Sequence, residues 1–284
     1  MDGISFRLAK GRVLGLLGPN GAGKTTTIHM LVGLTLPDAG FVRYFGQDLH
    51  KRRQECLQRI NFTSSFNTLQ GRISVWENLR VFADLYSVKD PVNKVRELAD
   101  AFDIVGLLPQ RFLTLSAGQK TMVNLVKSLL NDPEIILMDE PTASLDPDVA
   151  DRTMAILESL KASRNLSMVY TSHQMDEVAR ICDEVIFMDK GRIVAHDSPD
   201  ELTKRIATAQ LRVVFSGDGS NIQRQLPEAT VNGNVVTVNT EEALIPRAIL
   251  AINAAGVTIT DLDVKKPSLE DVFLRIARGQ QHVA

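Results

Sequence analysis

Gly18-Pro19-Asn20-Gly21-Ala22-Gly23-Lys24-Thr25-Thr26 is the stretch whose reading decides the fold. It follows an apolar run, Val13 to Leu17, and precedes a helical pattern with Ile28, Leu31 and Val32 on one side. The expected local structure is strand, glycine-rich loop, helix, with Gly18, Gly23, Lys24 and Thr25 in the G-x-x-x-x-G-K-[ST] positions. Glycines at this spacing let successive backbone N–H groups curl into one concavity, and the helix N-terminus adds partial positive charge. Lys24 is expected to reach the β- and γ-phosphates of a nucleoside triphosphate as a point charge, and the Thr25 hydroxyl to ligate Mg²⁺. Alone, the stretch promises a bound triphosphate and no more.

The 284 residues suit one large or two modest domains with ample core. A hydrophobic content of 44% and a charged content of 23% are those of an ordinary soluble globular chain. The formal net charge of -2 argues against nucleic-acid binding by bulk electrostatics. The basic run Lys51-Arg52-Arg53 reads as a solvated helix face. Cys56 and Cys182 stand far apart, in no metal or redox spacing, and fit a reducing compartment. No run of about 18 apolar residues occurs, and polar residues follow Met1 at once, so neither a span nor a signal peptide is expected. A cytoplasmic chain is expected, with any transmembrane part supplied by another subunit.

Further along, Ile4 to Leu8 alternate and read as a short strand, Phe41 to Phe45 as another, and His50 to Arg59 as a helix. Ile60-Asn61-Phe62 opens a strand, and Thr63 to Arg72 reads as a loop. Ser74-x-x-Glu77 is a capping box, and the helix it opens carries Leu79, Phe82, Ala83 and Tyr86 at helical spacing. Trp76 beside it is core or a partner anchor. Another helix from Pro91 to about Phe102 makes this region mostly helical. Leu115 to Lys120 opens a helix with Met122, Leu125, Val126 and Leu129 on one face. Glu134 to Met138 is a buried-type strand ending in Asp139-Glu140. Asp146-Pro147 starts a helix to about Ala162. Ser167 to Thr171 is a strand, and His173 follows it. Strands alternating with helices in this way mean an α/β fold with a largely parallel sheet. Its chemistry is expected at strand carboxyl ends, where Gly18, Asp139 and His173 fall.

After Ser198-Pro199, which starts a helix to about Ala209, strands shorten and turns multiply. The order β-α-β-β-α-β, with Asn232-Gly233 as a hairpin turn, fits a small ferredoxin-like module. The domains are therefore expected at 1–209, with a helical subdomain at about 66–130, and at 210–284.

Asp139, closing an apolar strand, is expected beside the glycine-rich loop, holding Mg²⁺ through water. Glu140 is a candidate to orient or deprotonate the attacking water. His173 is placed to hydrogen-bond the γ-phosphate or that water.

Taken together and in this order, GPNGAGKTT, LSAGQK, IILMDEPTASLD and SHQMDE resemble the nucleotide-binding domain of ABC transporters, over nearly all of residues 1–200. The resemblance implies a P-loop ATPase in which two such domains, here a homodimer, sandwich two ATP molecules. The loop Gly18, Pro19, Asn20, Gly21, Ala22, Gly23, Lys24, Thr25 and Thr26 would hold each ATP on one side. Ser116, Ala117, Gly118 and Gln119 of the other subunit would hold it on the other. A glycine-rich turn opening a helix is a second anion site that one monomer cannot bring onto its own phosphates. Ser144-Leu145-Asp146 would cross the dimer seam. The tail, Pro267 to Phe273 after a β-rich module, is similar to the branch that exports drugs, lipids, polysaccharides or ions. Localisation at the inner face of the plasma membrane beside a permease follows.

Three departures from the family pattern stand out. The loop glutamine that touches Mg²⁺ falls on Ser65, so a water must bridge, or Ser64 or Gln70 must serve. Ala117 stands where a second glycine is commoner. A further strand and an adenine-stacking aromatic, upstream of Asp2 in the family, are expected to be missing, whether the true start lies further back or the protein is short. The lost stack would cost on the order of 1 kcal/mol, about fivefold in affinity. The expected function is an ATP-hydrolysing exporter subunit. The rivals are a soluble ABC-type ATPase and an ATP-binding module without turnover.

Overall fold

The computed structural model describes residues 1–64, 69–143, 145–204 and 208–277. The chain divides into two compact units, Met1–Pro199 and Asp200–Ala284; the division falls ten residues ahead of the 209/210 boundary expected from the sequence.

In the first unit, β1 (Val13–Leu17) leads into the glycine-rich loop and α1 (Lys24–Leu31). A small hairpin of β2 (Arg43–Tyr44) and β3 (Gln47–Asp48) follows, then α2 (Arg53–Gln58) and β4 (Ile60–Ser64). The helices α3 (Val75–Leu85), α4 (Pro91–Ala101) and α5 (Ala117–Leu129) form the helical region. The chain returns through β5 (Ile135–Asp139), α6 (Pro147–Arg164), β6 (Ser167–Thr171), α7 (Met175–Ile181), β7 (Glu184–Asp189) and β8 (Arg192–Asp197). The sheet order is β4-β5-β6-β1-β7-β8, parallel except for β8, which turns back antiparallel on β7. All residues of β1 and β6 are buried, as strands covered on both faces require. The parallel pairing brings the carboxyl ends of β1, β5 and β6 to one edge, the expected place for chemistry in an open α/β sheet.

Several local expectations are corrected. Ile4 to Leu8 forms no strand: Ile4, Phe6 and Leu8 pack against the core, but among the described residues the segment pairs with no neighbour strand. Alternating burial survives there without a ladder. The strand expected over Phe41 to Phe45 shrinks to Arg43–Tyr44, because Phe45 (φ 53) and Gly46 (φ 80) turn the chain back at once. The helix expected from His50 begins only at Arg53, since the Asp48 carboxylate accepts from the His50 and Lys51 N–H groups and holds them in a turn. The box at Ser74 and Glu77 forms fully: Ser74 N–H reaches the Glu77 carboxylate at 2.7 Å, and Glu77 N–H reaches Ser74 Oγ at 3.1 Å.

The second unit begins within α8 (Pro199–Lys204); of the helix expected to about Ala209, residues 205–207 lie outside the described residues, and Ala209 itself opens β9 (Ala209–Ser216). Then come α9 (Ile222–Gln225), β10 (Thr230–Asn232), β11 (Val235–Thr240), α10 (Ile245–Ala254), β12 (Thr258–Lys265) and α11 (Leu269–Ala277). Its antiparallel sheet runs β10-β11-β9-β12, the strand order of a split βαβ module. Leu211, Val213 and Phe215 alternate inward from β9 onto Ala248 and Ile252 of α10. The tail motif has a local physical reason: Ser268 Oγ accepts from Asp271 N–H at 3.3 Å, while the Asp271 carboxylate accepts from Ser268 N–H at 2.9 Å, a capping box for α11.

Candidate functional site

The glycine-rich loop joins β1 to α1 and folds back against β7. A Cβ on Gly18 would run into the Met188 carbonyl oxygen, and Gly23 (φ 107) is left-handed at the α1 N-cap, so neither position accepts a side chain without strain. Lys24, buried at the first turn of α1, donates to the carbonyls of Gly18 at 2.7 Å and Pro19 at 3.3 Å. Burial lowers its pKa, opposed by the charges of Glu140 and Asp139.

Neighbouring strands assemble the acidic side. Asp139 and Thr171 are register partners on β5 and β6, and Ser64 on β4 is paired with Asp139 on its other flank. The buried Asp139 receives Thr171 Oγ1 at 2.7 Å on Oδ1 and Thr25 Oγ1 at 3.3 Å on Oδ2. Thr25 and Asp139 are thus brought together across 114 positions of chain. Glu140 (φ 51) lies in the left-handed region, held by its N–H to Thr171 O at 3.1 Å and Thr171 Oγ1 at 3.0 Å. Its carboxylate meets His173 Nε2 at 2.6 Å. Lys24, Thr25, Asp139, Glu140 and His173 therefore stand at one edge of the sheet, as their motif positions predict.

Ser116 caps α5, its Oγ accepting from Gln119 N–H at 3.3 Å while Gln119 Oε1 accepts from Ser116 N–H at 2.9 Å. Ala117 and Gly118 form the first turn of that helix, and a Cβ on Gly118 would come within 2.6 Å of Val149 Cγ1. Among the described residues, no hydrogen bond or ion pair joins Ser116 to Gln119 with the glycine-rich loop. Asp146 stands at the N-cap of α6; its carbonyl accepts from Val149 and Ala150, while its side chain makes no cap bond. Ser65 and Ser144 lie outside the described residues. Of the alternatives to Ser65, Gln70 has its backbone bonded both ways to Asn78, at 2.9 Å each, whereas Ser64 is the strand neighbour of Asp139.

Sequence reasoning missed two hydroxyl and carboxylate clusters. Thr171 is one; the other is Glu177, whose Oε2 accepts from Thr142, Tyr170 and Ser172. The run Tyr170-Thr171-Ser172-His173, polar directly after an apolar strand, was the available signal.

A parallel sheet with a phosphate-type loop and an acid pair at its carboxyl edge defines a P-loop nucleoside triphosphatase fold. The ABC transporter family model matches residues 1–143, and a model for the ATP-binding protein DrrA1-3-like C-terminal domain matches residues 198–277. The Nod factor export ATP-binding protein I of Rhizobium sp. (strain N33) is 33% identical over 97% of this chain and 91% of that protein. Its namesake in Ralstonia nicotianae is 36% identical over 77% of this chain and 68% of its own. Among solved structures, cbiO1 from Clostridium perfringens, part of the ABC transporter complex cbiONQ, aligns with a TM-score of 0.65 and 25% identity, covering 71% of this chain and 83% of that one. The chain belongs to the ABC transporter family, as an ATP-binding subunit of the export type that these relatives represent.

Proposed function

We propose that the chain hydrolyses ATP and couples that cycle to export through a separate membrane subunit. The observation that carries the reading is the Glu140–His173 pair, 2.6 Å apart, on the same sheet edge as Lys24 and the Thr25–Asp139 contact. Gly18 through Thr26 would wrap the phosphates with backbone N–H groups and the Lys24 ammonium. The donor set suits Mg²⁺: two hard oxygens, Thr25 Oγ1 and a buried Asp139 carboxylate, already face one another. When bound, the ion would neutralise charge on the phosphate oxygens. Glu140 then orients the attacking water and takes its proton, and His173 holds Glu140 and the γ-phosphate side in register.

Ser116, Ala117, Gly118 and Gln119 would serve a second copy's ATP, making a homodimer with Asp146 at its seam. The α5 N-terminus favours an anion there. Among the described residues, no helix is long and apolar enough to cross a membrane. A permease partner at the inner face of the plasma membrane belongs to this reading; the solved relative cbiO1 is part of an ABC transporter complex, which favours a partner subunit. Its dock would lie near the loop after β4 and α3, where Val81 and Leu85, one helical turn apart, are exposed.

Glu140→Gln tests the reading. It should keep ATP binding, trap a dimer that gel filtration detects, and stop phosphate release; turnover at the parent rate would sink the role given to Glu140.

A further inference from the structure

Glu177 sits in the first turn of α7, 7% exposed, where packing alone asks for an apolar residue such as its inward neighbours Val178 and Ile181. A carboxylate at such a place is costly unless hydrogen bonds hold it. One of its oxygens, Oε2, accepts three hydroxyls: Thr142 at 2.8 Å, Tyr170 at 2.7 Å and Ser172 at 2.8 Å. Its other oxygen, Oε1, is buried with no partner among the described residues.

The three hydroxyls come from the two turns that carry the reactive pair. Thr142 lies two residues after Glu140, in a turn whose Ala143 N–H bonds the Glu140 carbonyl at 3.2 Å. Ser172 directly precedes His173, and its Oγ also accepts from Gln174 N–H at 3.0 Å. Tyr170 anchors the carboxylate to β6. Glu140 is thus held at two points, by Thr171 at its own N–H and by Glu177 through Thr142. A non-glycine residue at φ 51 needs such outside support to stay where it is.

We propose that Glu177 is a positioning residue for ATP hydrolysis: it clamps the Glu140 turn to the His173 turn through one shared carboxylate oxygen and so sets the spacing of that pair. The inference rests on the reading of Glu140 given above. Glu177 acts through Thr142 and Ser172, and small misalignments at a reacting centre are expensive in rate.

The test uses the whole chain with MgATP, measuring kcat, KM and the Kd for a fluorescent ATP analogue. Glu177→Ala should lower kcat by roughly tenfold or more with Kd unchanged within about threefold. Glu177→Gln keeps one oxygen for the hydroxyls and should recover kcat to within about threefold of the parent. In a His173→Ala background, Glu177→Ala should cost less than about threefold more, because the pair it aligns is already broken. An equal loss in both backgrounds, an unchanged kcat, or a Kd that rises in step with the fall in kcat overturns the inference. If Glu177→Ala does not fold, Thr142→Val decides: it keeps the carboxylate, should lower kcat severalfold at constant Kd, and an unchanged kcat overturns the clamp. The two levels separate cleanly. Normal turnover in Glu140→Gln fells the parent reading and the clamp with it; a dead Glu140→Gln beside a fully active Glu177→Ala fells the clamp alone.

Discussion

Replacing Thr171 by Val isolates one hydroxyl at the centre of the site. Thr171 is fully buried, and Val has nearly its shape, so no cavity opens and packing is conserved. Two bonds are lost: the 2.7 Å donation to Asp139 Oδ1 and the 3.0 Å acceptance from Glu140 N–H. The second loss is small, because the Glu140 N–H keeps the Thr171 carbonyl at 3.1 Å. The first leaves a buried carboxylate oxygen without that donor. Hydrogen bonds to charged groups contribute about 1.5–3 kcal/mol, so the first unit should lose about 2 kcal/mol. Trp76 is the only tryptophan and lies on α3, so its fluorescence in a urea titration reports on that unit. With a slope of about 2–3 kcal/mol per molar urea, the midpoint should fall by roughly 0.7–1 M. A shift below about 0.2 M at unchanged slope would refute the view that this hydroxyl holds Asp139 in place.

Two further predictions follow from contacts in the same unit. Gly118→Ala should destabilise by about 1–3 kcal/mol through overpacking on Val149, and adding Val149→Ala should restore the melting temperature. If Gly118 also faces a second copy's ATP, hydrolysis in that double variant should stay low after stability returns, which thermal melts and phosphate release would show. Burial would raise the Asp183 pKa, but the Val13 N–H and the Lys161 and Arg12 side chains overcome it and hold the carboxyl below its usual range. A depressed carboxyl stabilises the fold above its unfolded pKa of about 3.9 and loses that contribution as pH falls through the folded value. Asp183→Asn should therefore lower stability at neutral pH and flatten the acid limb below about pH 4, as denaturation across that range would measure.

Much of the first unit is legible because its signals are local or strongly periodic. Val13 to Leu17 and Ile135 to Asp139 are short apolar runs of the kind buried on both faces, and Ser74-x-x-Glu77 specifies its helix start within four residues. The motif positions of Lys24, Thr25, Asp139, Glu140 and His173 carry over because strand ends in a parallel sheet must share an edge. What could not be read depends on distant partners. Ile4 to Leu8 has the alternation of a strand, yet pairing is a property of a second segment, and none among the described residues takes it up. Thr171 and Glu177 look like surface letters in a string; only the register of β5 on β6 and the turn of α7 bury them beside the candidate site residues. Ser116 and Gln119 show a different limit. The letters that suggest a phosphate contact across a dimer are also a capping box, and both uses fit the same turn.

The strand order has a consequence for biosynthesis. β1 precedes both of its sheet neighbours in the chain, yet it lies between β6 and β7, and 170 positions separate Val13 from its bond to Asp183. At about 5–20 residues per second, β1 and its glycine loop wait roughly 8–30 s before either neighbour exists. During that interval a fully apolar five-residue strand has no ladder to join, and such segments are the ones that aggregate when exposed. The helical region between Val75 and Leu129 is built of local contacts and can fold while β1 waits. The strand that leads into the glycine-rich loop is therefore made well before the strands that lock it in. A nascent chain arrested before residue 184 should remain protease-sensitive at the glycine loop even with ATP present.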